Sequence, residues 1–220
     1  MKKRKFLLNN IIVIVIILIF FIPSIWIVFS SMRPKVEIFA RPPIWIPQKL
    51  DLGSYKGLLG FESQESGIDF GQDVPFFEYA KNSIIISSAT TVLTVVLGTF
   101  AGFAFSNFRF RIKNSIFLGF MMARALPGVA LSLPLLIVYS RLGLSDSIIG
   151  LIIAYSAMNI PFIAWLMTGF FQEIPNELND AAFIDGCSRW GAFLRVNLPL
   201  ILPGAAASGI FAFLTSWNEF

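Results

Sequence analysis

Long apolar runs divide the chain, and five of them are long enough to cross a membrane. The first four occupy residues 11–30, 82–105, 115–139 and 148–171, and the fifth begins near Leu200 and stays apolar to residue 220. A transmembrane helix needs about 20 predominantly apolar residues. The pattern therefore predicts an all-α protein, a polytopic bundle of transmembrane helices with five spans.

Basic residues beside these runs predict the orientation of the chain. Four lie before the first run, and Arg109, Arg111 and Lys113 follow the second run with no acidic residue among them. Cytoplasmic loops of membrane proteins carry an excess of lysine and arginine. We therefore expect both segments on the cytoplasmic side, which also places the loop after the fourth run, residues 172–199, inside.

This orientation divides the chain into segments. Residues 1–10 are predicted to be cytoplasmic, residues 11–31 to form the first span, and residues 32–81 to form an extracytoplasmic segment. Prolines and glycines in that segment favour extended stretches and short helices on the membrane surface. Residues 82–220 are predicted to form the core with the second to fifth spans, and they include the cytoplasmic loop 172–199.

A basic start followed by an apolar run is also typical of a cleaved signal peptide. The apolar core of a signal peptide is about 7–15 residues long and ends at a cleavage site of small residues. Here the run continues past Pro23 to Phe29, and Ser31, Met32 and Arg33 follow it. The length and the missing cleavage site favour an uncleaved anchor.

Composition excludes several classes of site. The chain is 56% hydrophobic and 14% charged, whereas a soluble domain is about 45–50% apolar and about 25% charged. The net charge of +4 comes mostly from residues at the ends of apolar runs, so nucleic acid is not expected as a partner. There is no histidine and one cysteine, Cys187, which we interpret as a packing residue. We expect no catalytic residue, no metal site and no cofactor.

Charged and aromatic residues at membrane depth are candidates for a substrate pathway. Arg124 lies about ten residues into the third run, and Trp217, Asn218 and Glu219 lie in the fifth. A charge within the bilayer is costly and indicates function unless it is paired or reaches the interface. For Arg124 the alternative is a structural ion pair or snorkelling. Sugars bind aromatic faces flanked by polar groups, so the other three residues are candidates for contact with a sugar.

Two further signals concern the packing of the spans. Gly98 and Gly102 are four residues apart, which places them on one helix face and allows a close approach of a second helix. Asn159 precedes Pro161 in the fourth run. Its side chain either faces the substrate pathway or bonds the carbonyl that the proline leaves free. We prefer the bond to the carbonyl.

The loop 172–199 carries the clearest local pattern. Pro175 is suited to the start of a helix, and Gly186 to a left-handed C-terminal cap. Ser188 can cap a second short helix, which is expected to end before Pro199. The loop therefore predicts two short helices joined by a glycine turn. They either cover the inner face of the bundle or form an element that docks into a partner.

Several segments of this loop resemble the cytoplasmic signature loop of permease subunits of binding-protein-dependent ATP-binding-cassette importers: Asp180-Ala181-Ala182, Ile184-Asp185-Gly186-Cys187-Ser188, Leu198-Pro199-Leu200 and Pro203-Gly204. Others are similar to the maltose-permease-like carbohydrate branch: Asn107–Arg111, Leu126–Gly128, Leu142–Asp146, Gly169–Phe171, Ile174–Leu178 and Ser216–Phe220. The chain departs from the pattern at Asp180, where glutamate is usual, and at Cys187, where alanine is usual.

The resemblance implies a subunit that is not itself an enzyme. Its partners are a second permease subunit, a cytoplasmic ATPase dimer and an extracytoplasmic substrate-binding protein, in the bacterial cytoplasmic (inner) membrane. Consistent with this, the sequence contains no G-x-x-x-x-G-K-[ST] phosphate loop. The implied ATPase-docking residues are Glu177, Asp180, Ala181, Ala182, Asp185, Gly186 and Ser188. The family's sixth span is absent, so we expect a truncated gene product or fragment with reduced activity.

Two other classes of membrane protein are alternatives. A self-contained secondary transporter or channel needs its own ion or proton site, yet the spans contain few acidic residues and no histidine. A membrane enzyme needs paired carboxylates, a metal cluster or an activated nucleophile, and none appears at membrane depth. Both alternatives therefore rank below the importer subunit.

Overall fold

The computed structural model of the protein describes residues 2–42, 44, 45, 49–60 and 75–219. Within these ranges every regular element is a helix, which confirms the predicted all-α class. The chain divides into two compact units, residues 1–77 and 78–220.

The first unit contains the long helix α1 (Lys2–Ser31) and the short helices α2 (Lys35–Ile38) and α3 (Gly53–Leu58). No residue of the apolar window Val13–Ser31 is buried within the described structure. A helix that is apolar on all sides and buries none of these residues in protein is stable only in lipid.

Arg33 organises the segment that follows α1. Its side chain is buried and donates hydrogen bonds to the carbonyl oxygens of Ile44, at 2.5 Å, and Trp45. The guanidinium carbon also lies 4.7 Å from the ring centroid of Trp26, and the Trp26 and Trp45 rings are 5.2 Å apart. These contacts fold the segment back onto the end of α1.

The second unit contains the remaining helices. They are α4 (Phe76–Asn107), which begins just before the boundary, α5 (Lys113–Arg124), α6 (Gly128–Leu142), α7 (Ile148–Gln172), α8 (Asn176–Ile184), α9 (Arg189–Ala192), a π-helical turn (Phe193–Asn197) and α10 (Leu198–Asn218).

Four helical stretches of the described chain are long and apolar enough to cross a membrane: Val13–Ser31, Phe76–Asn107, Ile148–Gln172 and Arg189–Asn218. They correspond to the first, second, fourth and fifth predicted spans. The third predicted span is divided into α5 and α6. Pro127 lacks an N–H donor and disfavours helical geometry at the residue before it, so the helix is interrupted there. Pro134 lies inside α6 without ending it.

The interior of the second unit combines small polar residues with an apolar cluster, whereas many large apolar residues face outward. The cluster consists of Ile163, Met167, Phe171, Phe193, Ile201 and Ala212. Hydroxyl groups are buried on α4, α7 and α10, at Ser87, Thr90, Thr94, Thr99, Ser156, Thr168, Ser208 and Ser216. Membrane helices associate through small residues because lipid offers apolar side chains as favourable a surface as protein does. This distribution is therefore that of a bundle in a bilayer.

Glycines bring α4 against α7. A β-carbon added at Gly98 would lie 2.6 Å from Ile163 Cγ2, and one at Gly102 would lie 2.6 Å from Met167 Cβ. Only glycine permits this separation, so the predicted close approach is confirmed. On α10, a β-carbon at Gly204 would lie 2.5 Å from the Phe170 ring of α7.

Candidate functional site

The loop 172–199 begins with α8, and Gly186 ends that helix. Gly186 has φ +82°, in the left-handed region. The Cys187 N–H donates to Ala182 O at 2.9 Å, and the Gly186 N–H donates to Phe183 O at 3.1 Å. These two bonds form a Schellman motif, which satisfies carbonyls at the end of a helix. The predicted left-handed cap at Gly186 is confirmed.

Ser188 starts the second helix of the loop. Its Oγ accepts a hydrogen bond from the Gly191 N–H at 3.1 Å, as the sequence predicts for an N-cap. This helix, α9, ends at Ala192 and so before Pro199, as predicted, but the helical path does not end there. A π-helical turn follows α9, the Leu198 N–H donates to Phe193 O, and α10 continues from there.

The π-helical turn explains how a proline is accommodated. Pro199 is the second residue of α10. Residues in the first turn of an α-helix have N–H groups without an intrahelical acceptor, so a proline costs little there. By changing the hydrogen-bond register, the π-helical turn places Pro199 in such a position.

Aromatic side chains hold the second half of the loop against the bundle. The Trp190 and Phe193 rings are stacked 5.1 Å apart. Phe193 is 4.6 Å from Phe103 of α4 and 6.3 Å from Phe171 of α7, and Trp190 is stacked on Phe100 at 6.1 Å. The sequence interpretation missed this cluster. Phe100 and Phe103 are three residues apart, as are Trp190 and Phe193, and this spacing is typical of one helix face.

The predicted docking residues lie mostly on the outer surface of the loop. Ala182 is buried, and the others are exposed: Glu177, Asp180, Ala181, Asp185, Gly186 and Ser188. Large apolar side chains are exposed among them, with Ile184 87% exposed and Leu178 and Phe183 more than 40% exposed. Exposed apolar side chains among charged residues are typical of a protein–protein interface, and we call those around Ile184 the exposed patch.

Contacts between loops agree with the predicted arrangement of the two ends of the bundle. Arg189 of the loop lies 5.9 Å from the ring of Phe108, next to the basic segment 109–113. At the other end of α4, Tyr79 and Asn82 share a cavity of about 570 Å³ with Asp146 and Ser147, which precede α7. The segment 109–113 and the loop 172–199 therefore lie at one end of the bundle.

The structure gives Asn159 a partner on each side. It is buried, its Nδ2 donates to Tyr155 O at 2.9 Å, and its Oδ1 accepts from Thr215 Oγ1 of α10 at 3.0 Å. The carbonyl that Pro161 leaves free is that of Ala157, four residues before it. Asn159 therefore bonds a different carbonyl from the one we preferred, because a side chain in a helix reaches the carbonyl four residues before its own position.

The other pathway candidates are exposed within this chain. Trp217 and Asn218 lie at the end of α10, and Glu219 follows them. Trp217 is stacked on Phe213 at 5.8 Å. These three residues lie toward the opposite end of the bundle from the loop 172–199.

Arg124, at the end of α5, lies against aromatic rings. Its guanidinium carbon is 5.1 Å from the Phe162 centroid and 5.9 Å from the Phe211 centroid. Such cation–π contacts stabilise a charge without an acidic partner. Among the described residues, no group of three or more His, Cys, Asp or Glu side chains could hold a metal ion.

Residues 94–220 match the family model described as binding-protein-dependent transport system inner membrane component. The chain is 31% identical to the sulfoquinovosyl glycerol transport system permease protein SmoH of Agrobacterium fabrum over 90% of this chain and 65% of that protein. It is 28% identical to the diacetylchitobiose uptake system permease protein DasC of Streptomyces coelicolor, over 90% and 67%. A probable permease protein of Sinorhizobium fredii, y4oR, is 32% identical over 91% and 68%.

The fold is also that of a solved transporter. A chain of a bacterial ABC transporter involved in the import of the acidic polysaccharide alginate superposes with a TM-score of 0.72 at 21% identity, over 98% of this chain and 71% of that chain. The chain thus spans about two thirds of the length of its relatives. Because the family model covers more than half of its residues, the chain belongs to the family of inner membrane components of binding-protein-dependent transport systems.

Proposed function

We propose that this chain is a membrane-spanning permease subunit of an ATP-driven importer for a sugar or related carbohydrate. Its partners are a second permease subunit, a cytoplasmic ATPase dimer and an extracytoplasmic substrate-binding protein. Relatives named for uptake of sulfoquinovosyl glycerol and diacetylchitobiose support the carbohydrate class. The subunit lies in the bacterial cytoplasmic membrane with its N-terminus inside, and ATP hydrolysis belongs to the partner.

The exposed patch on the loop 172–199 is the observation that carries this proposal. Ile184 is 87% exposed at the end of α8, next to the left-handed turn at Gly186. A loop that only covers the bundle would bury its large apolar residues against it. Here the rings of Trp190 and Phe193 contact the bundle, while Ile184 and its neighbours remain available for a partner.

The geometry supports a role for this loop in energy coupling. An ATPase can bias the permease only if it contacts the loop differently in its nucleotide-bound and nucleotide-free states. Any displacement of the loop reaches α4 through the aromatic cluster. It reaches α10 through the continuous helical path from Arg189 to Asn218.

The substrate pathway is proposed to pass the end of α10. Trp217, Asn218 and Glu219 offer an aromatic face, an amide and a carboxylate that are exposed in this chain. The hydrogen bond between Asn159 and Thr215 lies one helical turn below them and fixes α7 to α10. Arg124 is a further candidate for the pathway wall. The segments keep their proposed roles: 1–10 cytoplasmic, 11–31 first span, 32–81 extracytoplasmic and 82–220 core.

Transport measurements test the function. The chain is reconstituted in vesicles with the binding protein, second permease and ATPase that are encoded next to its gene. Uptake of labelled carbohydrates, including diacetylchitobiose and sulfoquinovosyl glycerol, is then measured. We expect uptake that requires ATP and the binding protein. Uptake that persists without ATP and follows an ion gradient would contradict the proposal and favour a secondary transporter.

Topology is tested by labelling single cysteines in a Cys187→Ser background. We expect Ser145→Cys to react with an impermeant reagent added to intact cells, and Arg111→Cys to react only after the membrane is opened. Labelling of position 111 from outside would overturn the proposed orientation.

A further inference from the structure

Two asparagine side chains join α8 to the start of α10. Asn197 Nδ2 donates to Asn179 Oδ1 at 2.8 Å and to the Ala192 carbonyl oxygen at 3.3 Å. Asn197 is buried, with 2% of its surface exposed, and Asn179 is half-buried. The pair therefore forms a polar link, whereas the neighbouring contacts of the loop with the bundle are made by aromatic rings.

A buried amide is costly unless its hydrogen bonds are made, and the bonds are directional. Apolar surfaces can slide past one another with little change in energy. A hydrogen bond of 2.8 Å between two side-chain amides, in contrast, is broken when it lengthens by an ångström. Asn197 is the last residue of the π-helical turn, and α10 follows it without a break. A displacement of α8 therefore acts directly on the first turn of α10.

The amide pair thus joins the first half of the loop to the end of its second half. Trp190 and Phe193 hold the second half to α4 and α7, whereas Asn179 joins α8 to Asn197, from which α10 continues. The exposed patch at Ile184 belongs to α8 and its end. The amide pair is therefore the polar connection between this patch and α10, the span that carries Trp217 and Asn218.

We propose that Asn179 and Asn197 are positioning residues that transmit movement of α8 to α10, and so couple ATP hydrolysis to transport. The inference rests on the proposed function, because it concerns how a docked ATPase moves a span. It assigns the two asparagines a role separate from docking, since Asn197 is buried and offers almost no surface to a docked partner.

Three variants separate coupling from docking and from folding. Asn179→Asp keeps an oxygen acceptor for Asn197 Nδ2, so the bond is retained. Asn179→Ala removes the acceptor while placing a favourable residue in the helix. Asn179→Asp combined with Asn197→Asp sets two carboxylates against each other with no donor between them.

Each variant is expressed with its partners, and three quantities are measured: the inserted permease, the ATPase that co-purifies with it, and the solute imported per ATP hydrolysed. The solute is a labelled carbohydrate that the wild-type transporter imports. We expect Asn179→Asp to retain the wild-type ratio. Asn179→Ala and the double variant should bind the ATPase normally, yet import about tenfold less solute per ATP, within the usual range of allosteric coupling.

The outcomes that contradict the inference differ from those that contradict the function. A wild-type ratio in both Asn179→Ala and the double variant overturns the inference alone. So does a lower amount of inserted protein with an unchanged ratio, because the pair is then only structural. Loss of the co-purifying ATPase makes the pair part of the docking surface and overturns it too. If the wild-type permease itself binds no ATPase, the proposed function fails, and the inference fails with it.

Discussion

Glycine is required in both the helix core and the loop 172–199, for opposite reasons. At Gly102 a β-carbon would lie 2.6 Å from Met167 Cβ and 2.9 Å from the Thr168 backbone nitrogen. At Gly186 a β-carbon would meet nothing within 4 Å, but φ is +82°. The core needs glycine for space, and the loop needs it for backbone conformation. The core glycine therefore serves the stability of the bundle, while the loop glycine shapes a surface that remains exposed.

The largest effect is expected in the core, from Gly102→Val. The new side chain meets backbone atoms of α7, which cannot move aside as a side chain can, so α4 and α7 must separate. We expect a loss of about 3 kcal/mol or more of stability, at the upper end of the range for overpacking. The measurement is thermal unfolding of the detergent-solubilised permease, together with the amount inserted in the membrane.

Gly119→Ala is the control for the core, because it adds a β-carbon where there is space for one. Gly119 lies inside α5, and a β-carbon there would meet nothing within 4 Å. Alanine should therefore raise the stability of this chain, by up to about 1 kcal/mol. Equal losses at positions 102 and 119 would show that the contact with α7 is not what requires glycine.

The intermediate effect is expected in the loop, from Gly186→Val. A residue with a β-carbon is disfavoured by about 1–2 kcal/mol in the left-handed conformation, and valine adds bulk beside the exposed patch. We expect near-normal insertion, loss of co-purifying ATPase, and ATP hydrolysis uncoupled from uptake. The measurement is a pull-down of the ATPase, normalised to inserted permease.

Gly143→Val is the matched control for the loop. Gly143 also has positive φ, +67°, and open space around its β-carbon position, but it follows α6 at the other end of the bundle. It should incur similar strain without affecting the ATPase. Retained ATPase binding and coupled transport in Gly186→Val would remove the main ground for assigning the loop to energy coupling.

The smallest effect on stability is expected from replacing a buried hydroxyl group of the core. Thr90 is fully buried, and its Oγ1 has no hydrogen-bond partner among the described residues. Thr90→Val keeps the shape and removes an unsatisfied polar group, so stability should stay level or rise by about 1 kcal/mol. Thr168→Val is the control, because Thr168 Oγ1 donates to Ala164 O at 2.7 Å and valine loses that bond. A lower unfolding temperature for Thr90→Val than for Thr168→Val would contradict this account.

Features whose cause is local were readable from the sequence. The Ser188 cap joins residues three apart, and the turn at Gly186 depends on the chemistry of one residue. The apolar runs likewise predict the long helices, because each must satisfy its own backbone in lipid. The family was also recognisable, since its motifs occur in order along the chain.

Other features were decided by tertiary structure. The hydrogen bond from Asn197 to Asn179 and the stacking of Trp190 on Phe100 join residues that are 18 and 90 positions apart, and they exist only because the loop packs against α4 and α10. Pro199 shows the same limit within one segment. Its residue type predicts a helix end, but packing of the loop favours a continuous path, and a π-helical turn accommodates the proline. Sequence spacing determines which partners are near along the chain, whereas only the packed bundle determines which distant ones meet.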